Sequence, residues 1–148
     1  MNLKAMLATL AISLNTLTAM ELSIQPHKEN LRVLLVNTSD VPVRVAGNLA
    51  WGDFYRGINL RLRITGNDGK VHPFRAFISA DPISPNRARL LYPSEILGRD
   101  ISVDIIKSAY SLRPGKYRIK ATYNEVSSDS QHPALSIQSN EVVVEIRD

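Results

Sequence analysis

The chain contains no cysteine, which excludes disulfides, a lipoprotein anchor and thiolate zinc sites together. The Gly-x-Ser-x-Gly nucleophile elbow is missing, as are the phosphate-binding Gly-x-x-x-x-Gly-Lys-Ser/Thr and the dinucleotide turn Gly-x-Gly-x-x-Gly. No run of like charges occurs. Lys and Arg number 18 against 14 Asp and Glu, a net charge of +4, which is mildly basic and far from a committed nucleic-acid binder. No segment reads as a long amphipathic helix. The one extended apolar stretch, at the N-terminus, is too short and too interrupted by Ser13, Asn15 and Thr16 to span a bilayer stably. Neither internal repeats nor low-complexity tracts are present.

What remains is an ordinary globular composition. The 148 residues are 44% hydrophobic and 22% charged, close to the average for one soluble domain. A chain of this length removes enough surface from water to fold without a metal or disulfide staple. Residues 1–19 begin Met-Asn-Leu-Lys, continue as an apolar run and end in Thr18-Ala19. That is the layout of a secretory signal peptide, with Leu17 larger than the usual small residue three places before the cut. The expectation is a leader over 1–19, a domain over 20–148 and a periplasmic or secreted location. The competing reading makes the leader a first apolar element of the domain.

Period-two alternation dominates the rest. Ile58, Leu60, Leu62 and Ile64 share one face of a strand, and Asn59, Arg61, Arg63 and Thr65 the other. Gly66-Asn67-Asp68-Gly69 then supplies a tight turn, predicting a hairpin into 70–78. Tyr117, Ile119, Ala121 and Tyr123 repeat the pattern, with Lys116, Arg118, Lys120 and Thr122 outward. Val142, Val144 and Ile146 point inward near the C-terminus. Further strands are expected over 21–25, 31–36, 41–45, 89–92 and 99–106, the last on Ile101, Val103 and Ile105, with a helical turn at 107–112. Loops are expected over 47–57, 79–88 and 125–136. Seven or eight short strands point to an antiparallel β-sandwich, with a small closed barrel as the alternative.

Several turns carry a more particular pattern. Leu112-Arg-Pro-Gly-Lys-Tyr-Arg-Ile-Lys-Ala121 precedes Ser139-Asn140-Glu141-Val142. Upstream lie Val36-Asn-Thr-Ser-Asp-Val-Pro-Val43 and Leu91-Tyr-Pro-Ser-Glu95. Residues 31–146 therefore resemble the immunoglobulin-like β-sandwich modules of exported bacterial proteins. A similar β-domain precedes the catalytic domain in some deuterolysin-type and peptidyl-Lys-type zinc endopeptidases. The resemblance implies an immunoglobulin-like fold and little about activity. The peptidases' His-Glu-x-x-His is absent, so no catalytic role carries over. Tyr117, just after Pro114-Gly115, is placed to form a tyrosine corner.

Chemistry has few candidates. His27, His72 and His132 lie far apart in sequence, and His72 and His132 each precede a proline, which favours extended positions. No metal site, cofactor or catalytic residue is expected, and an enzyme is the minority reading. Two binding surfaces can be named. The loop around Trp51, Phe54, Tyr55 and Arg56 concentrates aromatics as protein interfaces do; equally, its rings can plug one end of the core, above all Trp51. Arg61, Arg63, Arg118 and Lys120 form a basic face if their strands share a sheet, suited to an anionic envelope component such as a lipid or glycan. The simpler account of that face is neutralisation by Glu141 and Glu145 on a neighbouring strand. The sequence thus predicts a non-catalytic binding module, with protein contact through loops as the first reading, inhibition of a protease among its forms. The basic face is the second, and nucleic acid is expected of neither.

Overall fold

Strict alternation makes one side of each strand apolar, and such sides are stable only when packed against one another. In a computed structural model, which describes residues 19–45, 48–53, 58–76, 88–125 and 135–148, this is how the chain folds. The described residues form β1 (Met20–His27), β2 (Asn30–Asn37), β3 (Val43–Val45), β4 (Leu60–Gly66), β5 (Val71–His72), β6 (Arg89–Leu91), β7 (Ile96–Ser102), α1 (Val103–Ala109), β8 (Gly115–Glu125) and β9 (Leu135–Ile146). One sheet has the order β1-β2-β7, a second β5-β4-β8-β9, and β3 pairs with β6 alone. All these pairings are antiparallel. The fold is an all-β sandwich.

Its core interleaves the inner faces of the two larger sheets. Leu22, Ile24, Leu31, Val33, Leu35 and Ile101 come from the first; Leu60, Leu62, Ile64, Ile119, Tyr123 and Ile146 come from the second. Each is nearly or wholly excluded from solvent.

Three sequence-based boundaries change. The strand expected over 99–106 stops at Ser102, and α1 follows immediately. Ile106 and Ala109 face the core with Tyr110, while Ile105 is exposed, so helical spacing replaces the alternation of Ile101, Val103 and Ile105. The partner of β4 is only Val71–His72, because Pro73 has no N–H to continue a ladder. The polar stretch assigned to a loop over 125–136 yields to β9 at Leu135.

Two polar residues organise the frame. Asn37 is completely buried. Its side-chain amide donates to the carbonyls of Val41 and Leu91, both at 2.8 Å, and its Oδ1 accepts from the Ser39 N–H at 2.9 Å and hydroxyl at 2.7 Å. Those four bonds shape the turn after β2 and tie it to β6. Asn140 joins the two sheets. The Ile24 N–H donates to its Oδ1 and its Nδ2 donates to the Ile24 carbonyl, both at 2.9 Å. One amide side chain thus takes the place of a strand partner at the edge of β1. Beside it, the β8–β9 register shifts between Lys120 and Thr122, and the Ala121 N–H donates to the Ser139 hydroxyl at 2.8 Å.

Asn140→Asp tests the clasp. At neutral pH the carboxylate repels the Ile24 carbonyl, and the variant is expected to lose about 1–3 kcal/mol in urea unfolding. That repulsion raises the folded-state pKa of the new carboxyl. The loss is therefore full above the folded value and recovers as pH falls through it, because the protonated acid can donate. A loss that persists unchanged in acid would show that it does not arise from a carboxylate facing the Ile24 carbonyl.

Candidate functional site

The basic residues come together as neighbouring strands require. In the β4–β8 pair, Arg61 lies opposite Thr122, Arg63 opposite Lys120, and Thr65 opposite Arg118. Cross-strand partners point to the same side of a sheet. Leu60, Leu62, Ile64, Tyr117, Ile119, Ala121 and Tyr123 occupy the buried side, so Arg61, Arg63, Arg118 and Lys120 share the outer one. Lys116 extends their row along β8.

β9 supplies acids on one flank only. Glu145 lies opposite Lys116 and Glu141 opposite Lys120. The Arg118 guanidinium sits 3.8 Å from Glu141, and Arg61 sits 3.9 Å from Asp53. Both separations exceed hydrogen-bonding distance, and exposed pairs of this kind contribute little stability. Arg63 is on the strand away from β9. Directly across from it stands a second cation, Lys120, and neither makes an ion pair among the described residues. Cross-strand neutralisation therefore describes the β8–β9 half of the face. On the β4–β8 half, Arg63 stands apart from these acids.

The aromatic loop is placed only in part. Trp51 is half-buried and meets Phe74 edge to face, with centroids 5.9 Å apart. Phe74 in turn meets Tyr110 at 5.3 Å. The backbone pins this turn, since the Gly52 N–H donates to Leu60 O at 3.0 Å and the Asn59 N–H to Ala50 O at 2.9 Å. Trp51 belongs to the rim of the core. Phe54, Tyr55 and Arg56 lie outside the described residues. Phe74 is not foreseeable as the partner ring, because it follows Pro73 outside any alternating run.

Histidines are scattered. His27 ends β1, and His72 stands edge to face against Tyr117 at 5.3 Å; His132 lies outside the described residues. Among the described residues, no three His, Asp or Glu side chains are arranged to hold a metal ion. The Tyr117 hydroxyl donates to the Arg113 carbonyl at 2.8 Å. Among the described residues no helix is long and apolar enough to cross a membrane.

Charge is also fixed on the opposite sheet. Arg32 and Asp100 form two parallel hydrogen bonds, 2.8 and 2.9 Å long, and hydrogen bonding to Arg32 holds the Asp100 carboxyl below its usual range, with charge attraction adding to the shift. A carboxyl lowered on folding stabilises above its unfolded pKa, near 3.9, and that contribution disappears as pH falls through the folded value. Asp100→Asn should accordingly flatten the acid limb of a stability–pH curve below about pH 4. A limb identical to wild type would deny the pair any part in it. Burial raises the Glu125 carboxyl, with Arg44 opposing the shift.

No protein-family model matches the sequence, and no curated protein matches it significantly.

Proposed function

We propose that the chain is a non-catalytic binding module, of immunoglobulin-like type and exported, which engages an anionic component of the cell envelope through the outer face of β4 and β8. The observation that carries this reading is Arg63 facing Lys120. Like charges directly across a sheet destabilise it, so this pair opposes folding and is relieved by an anion. The leader-like residues 1–19 support the location, and the turn motifs around Pro114-Gly115 and Asn37 support the type of scaffold.

Arg63→Gln with Lys120→Gln provides the test. Binding to anionic vesicles or glycans at low salt should fall at least tenfold, while the melting temperature holds or rises slightly as the repulsion is removed. Binding by wild type should also weaken steeply with salt, since exposed charges are screened within about 10 Å at 0.1 M. Unchanged binding by the double variant would refute the reading.

A second reading, a protein partner at the aromatic end, is supported by the half-exposed ring of Trp51 at the rim of the core. It expects Phe54→Ala with Tyr55→Ala to abolish capture of a partner from an envelope fraction without lowering the melting temperature. Capture by both forms alike would remove it.

A further inference from the structure

On the reading of the basic face as an anion-binding surface, we infer that its ligand is an extended anionic polysaccharide, laid along the β4–β8 seam and held off β9 by Glu141 and Glu145. Register carries the argument. Arg61 occupies the row of Thr122, Arg63 and Lys120 share the next, and Arg118 and Lys116 occupy the two after that. Every row from Thr122 to Lys116 thus presents a cation. At about 3.4 Å per residue the stripe is roughly 20 Å long, with a step of about 7 Å between rows.

A stripe of this form selects its ligand by shape. Its charges are spaced along paired strands rather than gathered around one point. Single charges on it bind weakly, and affinity builds only when one chain touches several rows at once. The outer positions of these rows on β4, β8 and β9 hold no aromatic, so base stacking, on which single-stranded nucleic acids depend, has no platform. Thr65 and Thr122 stand among the cations and supply hydroxyls that match those of sugars. The acids complete the assignment, because Glu145 and Glu141 face Lys116 and Lys120 from the β9 side and repel a polyanion that strays across. The ligand is thereby aligned with the strands.

Heparin-derived oligosaccharides of defined length serve as the probe, beside inorganic sulfate and phosphatidylglycerol vesicles, with binding followed by calorimetry at several salt concentrations. Affinity is expected to climb with length until the probe spans about 20 Å and then level off. Arg63→Gln should reduce the slope of log affinity against log salt by about one, as for other polyanions. Glu141→Gln with Glu145→Gln should raise affinity severalfold. Lys28→Gln, in the β1–β2 turn, should change nothing. Length-independent affinity no better than sulfate, or binding to vesicles alone, overturns this inference while leaving anion binding at the face intact. Failure of all three probes overturns both.

Discussion

Asn37→Ala is expected to unfold at a melting temperature lower by about 10–25 °C, from a loss of about 3–5 kcal/mol. The amide is wholly buried, and its removal takes the side-chain partner from the buried Leu91 carbonyl and from the Ser39 N–H, while the Val41 carbonyl keeps the Ser39 hydroxyl at 2.9 Å. Each buried group left without a partner costs about 1–3 kcal/mol. The turn after β2 also loses the contacts that hold it to β6. Asn37→Asp separates the two roles of the side chain. It keeps an acceptor for Ser39 but sets a carboxylate against two carbonyls, and should be about as damaging as alanine at neutral pH. Urea unfolding of the three proteins decides the matter. A loss below about 1 kcal/mol for alanine would mean that water replaces the amide without penalty.

Tyr110→Ala is expected to lose a similar amount, about 3–5 kcal/mol, typical for deleting a buried ring. Tyr110 is almost fully enclosed and supports Phe74, which in turn supports Trp51. Its hydroxyl donates to Leu62 O at 2.9 Å. Tyr110→Phe keeps the ring and should lose only about 1–2 kcal/mol. The phenol brings a pH signature as well. Burial pushes its pKa far above the usual value, so the folded state resists ionisation that the unfolded chain undergoes near pH 10. The stability it confers is complete below that pH and is lost above it. Tyr110→Phe should therefore decline less steeply above about pH 10 than wild type. Equal slopes would show that the phenol ionises in place. Loss of tryptophan fluorescence anisotropy change on unfolding is a further readout, because Trp51 is the sole tryptophan.

Much of this frame is legible from side-chain period alone. β4 and β8 follow their alternation residue by residue, and placing them side by side makes the basic face inevitable. Adjacency itself is not written in either segment, since any two amphipathic strands pack equally well on paper. The turn motif around Asn37 is visible as a pattern, yet the reach of its amide to Leu91, 54 residues away, is tertiary. α1 is foreseen only as a turn over 107–112, and its start at Val103 is hidden for a different reason. Adjacent Ile105 and Ile106 satisfy period two and helical spacing alike, and only the buried trio Ile106, Ala109 and Tyr110 fits the helix alone. The start of β9 is hidden by composition, because the polar run through Ser136 reads as a loop although Ile137 next to it is buried. Charge balance across the face could be foreseen for Glu141 and Glu145, which share a strand. The facing of Arg63 and Lys120 depends on register between segments far apart, and register emerges only on folding.

The clasp between Asn140 and Ile24 spans 116 positions, which sets the order in which the molecule can be made. A ribosome emits β1 well before β9, so β1 waits with the N–H and carbonyl of Ile24 open while the intervening residues are made. Contacts this distant are slow to form, and an open strand edge recruits other chains in the interval. The sandwich thus remains incomplete until β9 appears. A chain shortened before Asn140 should therefore expose the β1 edge and aggregate, even with every residue of β1, β2 and β7 intact.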